Sequence, residues 1–178
     1  MSERRGLGAE LSVEARRNLV LLFATRSLRM FAYGLVSVVL LLYLDGLGFG
    51  MASVGLLLSL TLLGDTLLSL LITTQADRIG RRRMLMAGAL LMLAAGFPLA
   101  LSRSFPVILF ALTVGVLSPT GNEVGPFLAL EQAALSELLA EEARTATFAW
   151  YNLAGSLTTA LGALAGGWIS QALQGAGI

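Results

Sequence analysis

The sequence predicts an all-α, polytopic helical membrane protein with five transmembrane helices, and three observations carry that expectation. Hydrophobic residues make up 56% of the 178-residue chain and charged residues only 13%, with a mean hydropathy of +0.81; ordinary globular domains are not built this way. The apolar residues gather into five runs at 18–44, 52–76, 84–101, 105–128 and 145–170. A helix crossing the hydrocarbon core needs about 20 residues. Finally, most arginines sit in the N-terminal tail and in the links between the runs, which is how a membrane chain places its cations.

The third run, Met84 to Leu101, is the shortest, and it spans if Arg83 and Arg103 extend toward the interfaces at its two ends. Helices are expected throughout, because isolated strands would leave unpaired edges in lipid. The expected organisation is a cytoplasmic N-terminal tail at 1–17, a five-helix membrane domain at 18–170 and a short tail at 171–178. Arg4, Arg5, Arg16 and Arg17 precede the first run, Arg78, Arg81, Arg82 and Arg83 follow the second, and Arg144 precedes the fifth. Against them the other side has only Arg103. The positive-inside rule then predicts a multi-pass protein of the plasma (cytoplasmic) membrane, of bacterial inner-membrane type, with its N-terminus in the cytoplasm.

Composition also excludes chemistry. The chain has no Cys and no His, so disulfides, thiolate chemistry, zinc frameworks and imidazole switches are absent. No nucleophile–base constellation is visible, and neither an enzyme nor a cofactor is expected. A cleavable signal is not expected either, because the first run is too long and lacks a small-residue exit. Nucleic-acid binding is not expected, since topology already explains the loop arginines. The expected partners are the lipid bilayer and a small-molecule substrate.

Candidate functional residues are the ionisable groups inside the apolar runs, where charge is costly unless paired or facing a wet cavity. In the first run Arg26, Arg29, Tyr33 and Ser37 fall on one narrow helix face. Thr61, Asp65 and Ser69 form a shorter stripe on the second run, and Thr145, Asn152, Ser156, Thr159, Gly166 and Ser170 form one on the fifth. The fifth stripe reads best as a packing surface. The third run has no polar side chain and is expected to face lipid. The fourth is irregular: Ser118-Pro119-Thr120-Gly121-Asn122-Glu123-Val124-Gly125-Pro126 concentrates helix-breaking residues around a carboxylate. Broken helices of this kind often line transporter sites. By rise per residue, Arg26 and Arg29 lie roughly 12–16 Å from the cytoplasmic face, and Asp65 and Glu123 reach the same half. A pathway or gate built from Arg26, Arg29, Tyr33, Asp65, Asn122 and Glu123 is therefore expected.

Between the second and third runs stands Asp77-Arg78-Ile79-Gly80-Arg81-Arg82-Arg83. A link this short needs a tight turn, which Gly80 supplies. The order D-R-x-G-R-R between two spans resembles the loop motif of the major facilitator superfamily (MFS). Glu141-Glu142-Ala143-Arg144 is similar to that family's acidic-then-arginine turn before the fifth helix. The resemblance covers nearly the whole chain, as helices one to five of the N-terminal six-helix bundle.

It implies an MFS secondary transporter that moves a small solute by alternating access, with Asp77, Arg78, Gly80, Arg81 and Arg82 as the gating loop. The alternative is a membrane scaffold or accessory subunit without transport of its own. Three positions depart from the family pattern. Thr73 stands where a glycine usually opens the loop motif, no arginine occupies the fourth helix, and Gly162-Ala163-Leu164-Ala165-Gly166-Gly167 lacks the proline common in exchangers. Because five helices cannot enclose a path, the chain is expected to be a fragment whose missing C-terminal half lies in the same longer chain or in a partner chain.

Overall fold

The computed structural model describes residues 13–115 and 126–175 as six helices: α1 (Val13–Gly46), α2 (Met51–Ile79), α3 (Arg81–Leu101), α4 (Phe105–Val114), α5 (Pro126–Leu138) and α6 (Glu141–Gly175). The described links between them are short: 47–50, Gly80, 102–104 and 139–140. Gly48 takes φ 79° between α1 and α2. Gly80, at φ 99°, ends α2 by donating its N–H to the Ala76 carbonyl and opens α3 by accepting the Met84 N–H. A side chain at that φ would be strained, so the one-residue turn depends on glycine. Pro106, in the first turn of α4, costs no helical hydrogen bond there.

The five predicted spans are not what the structure gives. Among the described residues, three helical segments are long and apolar enough to cross a membrane: Val13–Gly46, Met51–Ala76 and Arg82–Leu101. The expected fourth span, 105–128, is not one described helix. The α4 helix stops after 10 residues at Gly115, and α5 begins only at Pro126. Glycine at a helix end and proline at the next start punctuate the chain here. The expected fifth span, 145–170, lies within the 35-residue α6, which has the length but not the apolarity. Glycine, serine, threonine and asparagine take positions that leucine or valine fill in the other helices.

Those small residues have a packing consequence. The α1 and α6 helices form the most extensive helix pair in the molecule, and they approach at backbone distance. A Cβ on Gly34 would collide with the Thr159 carbonyl and the Ala163 nitrogen, and one on Gly162 with the Phe31 carbonyl. Gly166 meets Leu35, and Gly155 meets the Arg26 side chain. Contacts advance together along both helices, so the pair is parallel. Without a hydrophobic drive in lipid, such close van der Waals approach is a main source of helix association.

Two buried clusters complete the packing. One joins Met30, Tyr33, Leu40 and Leu44 of α1 to Leu57 of α2, Ala95 of α3, and Ile108, Ala111 and Leu112 of α4. The other gathers Leu135 and Leu139 with Tyr151, bordered by Leu19, Leu22, Phe23 and Phe148. Meanwhile α3 turns Leu90, Leu93, Phe97 and Leu101 outward, and α6 does the same with Trp150, Leu157, Leu164 and Trp168. Exposed apolar faces this long suit lipid or a further helix layer.

Candidate functional site: a buried polar network between three helices

The α1 stripe delivers its two arginines to α5 and α6. Arg29 grips Glu131 of α5 with both ends of its guanidinium, Nη1 to Oε1 at 2.8 Å and Nη2 to Oε2 at 2.9 Å. Both side chains are buried, at 9% and 2% exposure, which removes this pair from the class of weak surface bridges. The parallel two-point geometry is the strong form of an arginine–carboxylate contact. Tyr151 of α6 donates its hydroxyl to the same Glu131 Oε2 at 2.6 Å. One carboxylate therefore ties α5 to both members of the α1–α6 pair.

Arg26 lies one turn earlier on α1 and is also buried. Its guanidinium carbon sits 4.3 Å from the centre of the Tyr151 ring, and Nη2 donates to Asn152 Oδ1 at 3.2 Å. Arg29 covers the Phe127 ring in the same manner at 4.4 Å. Cation–π contacts contribute about 0.5–2 kcal/mol, more when desolvated. Phe23 packs edge-on against Tyr151, at 4.9 Å between ring centres. Gly155 makes room for this arrangement, since a Cβ there would press on Arg26 Nε at 2.8 Å.

Of the residues expected to form the pathway, Arg26 and Arg29 thus share one network. Tyr33 lies elsewhere, buried on α1 with its hydroxyl directed at the Met92 sulfur at 3.8 Å. Asp65 is fully buried on α2, and neither of its oxygens accepts a hydrogen bond. Asn122 and Glu123 fall outside the described residues. In the loop, Arg78 and Arg82 are exposed and Gly80 makes the turn described above, while the side chains of Asp77 and Arg81 lie outside the described set. Among the described residues no three acidic, histidine or cysteine side chains come together as a metal cluster.

Glu131 and Tyr151 are the members of this network that the sequence reading does not single out. Glu131 is a lone carboxylate in the apolar stretch Phe127-Leu128-Ala129-Leu130-Glu131, the same pattern that singled out Asp65. It lies beyond the expected end of the fourth span at 128. Tyr151 adjoins Asn152, which the α6 stripe did include.

What the network can do follows from its depth and geometry. Its parts belong to three helices, every strong contact crosses between them, and the charged atoms are shielded from solvent. Buried ionisable groups inside membrane helices typically mark ion or substrate paths. Comparisons with known proteins agree with this setting. The sequence profile of the Major Facilitator Superfamily matches residues 22–176. An uncharacterized membrane protein of Saccharomyces cerevisiae is 38% identical over 164 residues, covering 92% of this chain and 37% of the yeast protein. The chain thus spans just over a third of that relative's length. With the profile match extending over most of its residues, this multi-pass membrane protein belongs to the Major Facilitator Superfamily.

Proposed function

We propose that the chain is part of a secondary transporter that moves a small solute by alternating access, powered by an ion gradient or by the solute's own. The observation that carries this reading is the Glu131 carboxylate held simultaneously by Arg29 of α1 and Tyr151 of α6 within an apolar bundle. Contacts of this kind can open and re-form between discrete helix arrangements, which is what alternating access requires. The loop residues Asp77, Arg78, Gly80, Arg81 and Arg82 act as the gate against the remaining helices of the transporter. Those helices form the C-terminal half, supplied by the longer protein or by a partner chain. The N-terminus is cytoplasmic, and the protein works in the plasma membrane.

The test is flux. The complete protein is reconstituted in vesicles and a panel of small solutes is screened by the current or pH change that each one drives. Arg29→Ala and Glu131→Gln are then compared with wild type on any solute that responds. Loss of flux with folding retained supports the reading. Full flux in both variants, or a defect confined to assembly of the membrane complex, sinks it and leaves the scaffold function in its place.

A further inference from the structure

Asp65 is the buried charge that the α1–α5–α6 network leaves aside. It lies within the segment Met51–Ala76 that is long and apolar enough to cross a membrane. The residue is fully buried, and neither carboxylate oxygen meets a hydrogen-bond donor. One turn on, the buried Ser69 hydroxyl likewise has no partner. One turn back, the fully buried Thr61 spends its proton on the Leu57 carbonyl at 2.8 Å, which leaves its oxygen as an acceptor. Residues four apart share a helix face, so α2 presents a row of oxygens with an acidic centre.

The α2 helix packs on α3, α4 and α5, and on α1 through the buried cluster at Leu57. On α1, Arg29 is held by Glu131, Arg26 lies against Tyr151 and Asn152, and Asp45 is exposed. The α4 helix has no ionisable residue. On α5, Glu131 is held by Arg29 and Tyr151, and Glu137 is exposed. On α3, Arg82 and Arg83 are exposed at the helix start, beside Arg81, whose side chain is not described. On α2 itself, Arg78 is exposed and roughly 20 Å further along the helix. An ionised carboxylate taken out of water with no donor or counter-charge is disfavoured by several kcal/mol. A positive charge small enough to enter a closed helix interface removes that penalty.

We infer that Asp65, with the Thr61 and Ser69 oxygens on its own helix face, binds a small monovalent cation, H⁺ or Na⁺, and that this cation is the coupling ion. The coupling role rests on the transport reading above; the binding site itself does not. Both sources share one chemistry, neutralisation of a buried carboxylate, and both are small enough for the site.

The experiment uses the complete protein in detergent, with Tm as readout. NaCl is titrated against choline chloride at constant ionic strength, at several pH values, for wild type, Asp65→Asn and Ser69→Ala. A sodium site gives a saturable rise of at least about 2 °C in wild type, lost in Asp65→Asn and reduced in Ser69→Ala. A proton site gives no sodium response. Instead wild type loses a comparable amount relative to Asp65→Asn as pH rises, because asparagine is neutral throughout. Wild type and Asp65→Asn running parallel in both series would overturn the inference.

Should Asp65→Asn fail to fold, labelling of wild-type Asp65 by a hydrophobic carbodiimide, read by peptide mass, gives the same answer. Labelling suppressed by sodium or by alkaline pH supports the site, and labelling indifferent to both overturns it. Unchanged flux in Asp65→Asn, with flux lost in Arg29→Ala, removes the coupling role and leaves the transport function standing.

Discussion

Replacing Glu131 with glutamine tests the network at its centre. The substitution keeps the shape of the side chain and exchanges one acceptor oxygen for an NH₂ group. In the native site Oε1 receives Arg29 Nη1, while Oε2 receives both Arg29 Nη2 and the Tyr151 hydroxyl. Whichever way the amide turns, its NH₂ faces at least one guanidinium N–H, and donor opposes donor. Breaking a buried ion pair by removing one partner costs about 3–5 kcal/mol. The amide oxygen still accepts from the remaining donors, which places Glu131→Gln near the lower figure. At roughly 2–4 °C per kcal/mol, a loss of about 3 kcal/mol lowers Tm by roughly 6–12 °C. The double variant Arg29→Met/Glu131→Met removes both charges at similar volume, and such exchanges are often neutral or better. It strands the Tyr151 hydroxyl, which costs about 1–3 kcal/mol. The double variant is therefore expected to be more stable than Glu131→Gln, an order that simple counting of lost contacts would reverse. Thermal unfolding followed by tryptophan fluorescence decides. A double variant melting below the single, or a Glu131→Gln variant within 2 °C of wild type, would refute this account of the pair.

Tyr151→Phe keeps the ring under Arg26 and against Phe23 and deletes only the bond to Glu131. It should cost about 1.5–3 kcal/mol, the range for a hydrogen bond to a charged group, read as a Tm shift of the same sign as Glu131→Gln but smaller. Gly34→Ala drives a Cβ into the Thr159 carbonyl, so a loss of about 1–3 kcal/mol or more is expected. Gly96→Ala meets nothing within 4 Å and should leave Tm unchanged or raise it slightly. Gly80→Ala keeps its surroundings clear but strains φ 99°. A loss of about 1–3 kcal/mol, with faster proteolysis at the α2–α3 turn, is the expected result.

The parts of this molecule legible in its sequence are those that depend on one helix at a time. Polarity placed Arg26 and Arg29 on the protected side of α1, and spacing alone identified Gly80 as the turn. The small-residue stripe on α6 pointed to a packing surface, and Thr159 and Gly166 do meet α1. Pairing was not legible. Depth along the membrane normal made a meeting of Arg29 with Asp65 conceivable, but depth fixes one coordinate and leaves the direction around the helix open. That direction is set by Gly34, Gly155, Gly162 and Gly166, which seat α1 on α6 and so turn the arginines toward Tyr151 and Glu131. The partner of Arg29 lies 102 residues away, and reading 105–128 as one continuous helix pushed it out of the membrane segment. Two of the five expected spans failed for related reasons. Hydropathy runs on across Gly115 and Pro126, where the helix does not, and α6 is long enough to cross while its glycines and hydroxyls serve contact instead of apolarity.

The two ways in which helices meet here divide the labour between them. The α1–α6 contact is made by backbone against backbone at Gly34, Gly162 and Gly166, where even a Cβ would not fit. The network at Glu131 instead joins α5 to that pair through side chains, whose rotamers can change without displacing main chain. Stability alone does not require an ion pair there, because apolar groups of the same volume would serve about as well. What the pair adds is position, since a bidentate arginine and a tyrosine hydroxyl specify where one carboxylate must sit. Breaking it removes the polar tie between α5 and the α1–α6 pair, while the apolar contacts of Leu135 and Leu139 and the α1–α6 seam remain. On the transport reading proposed above, α1–α6 is the rigid body and the side-chain tie to α5 is the contact that changes. The charges act as a latch on that reading, and Glu131→Gln is expected to lose flux in addition to the Tm loss worked out above.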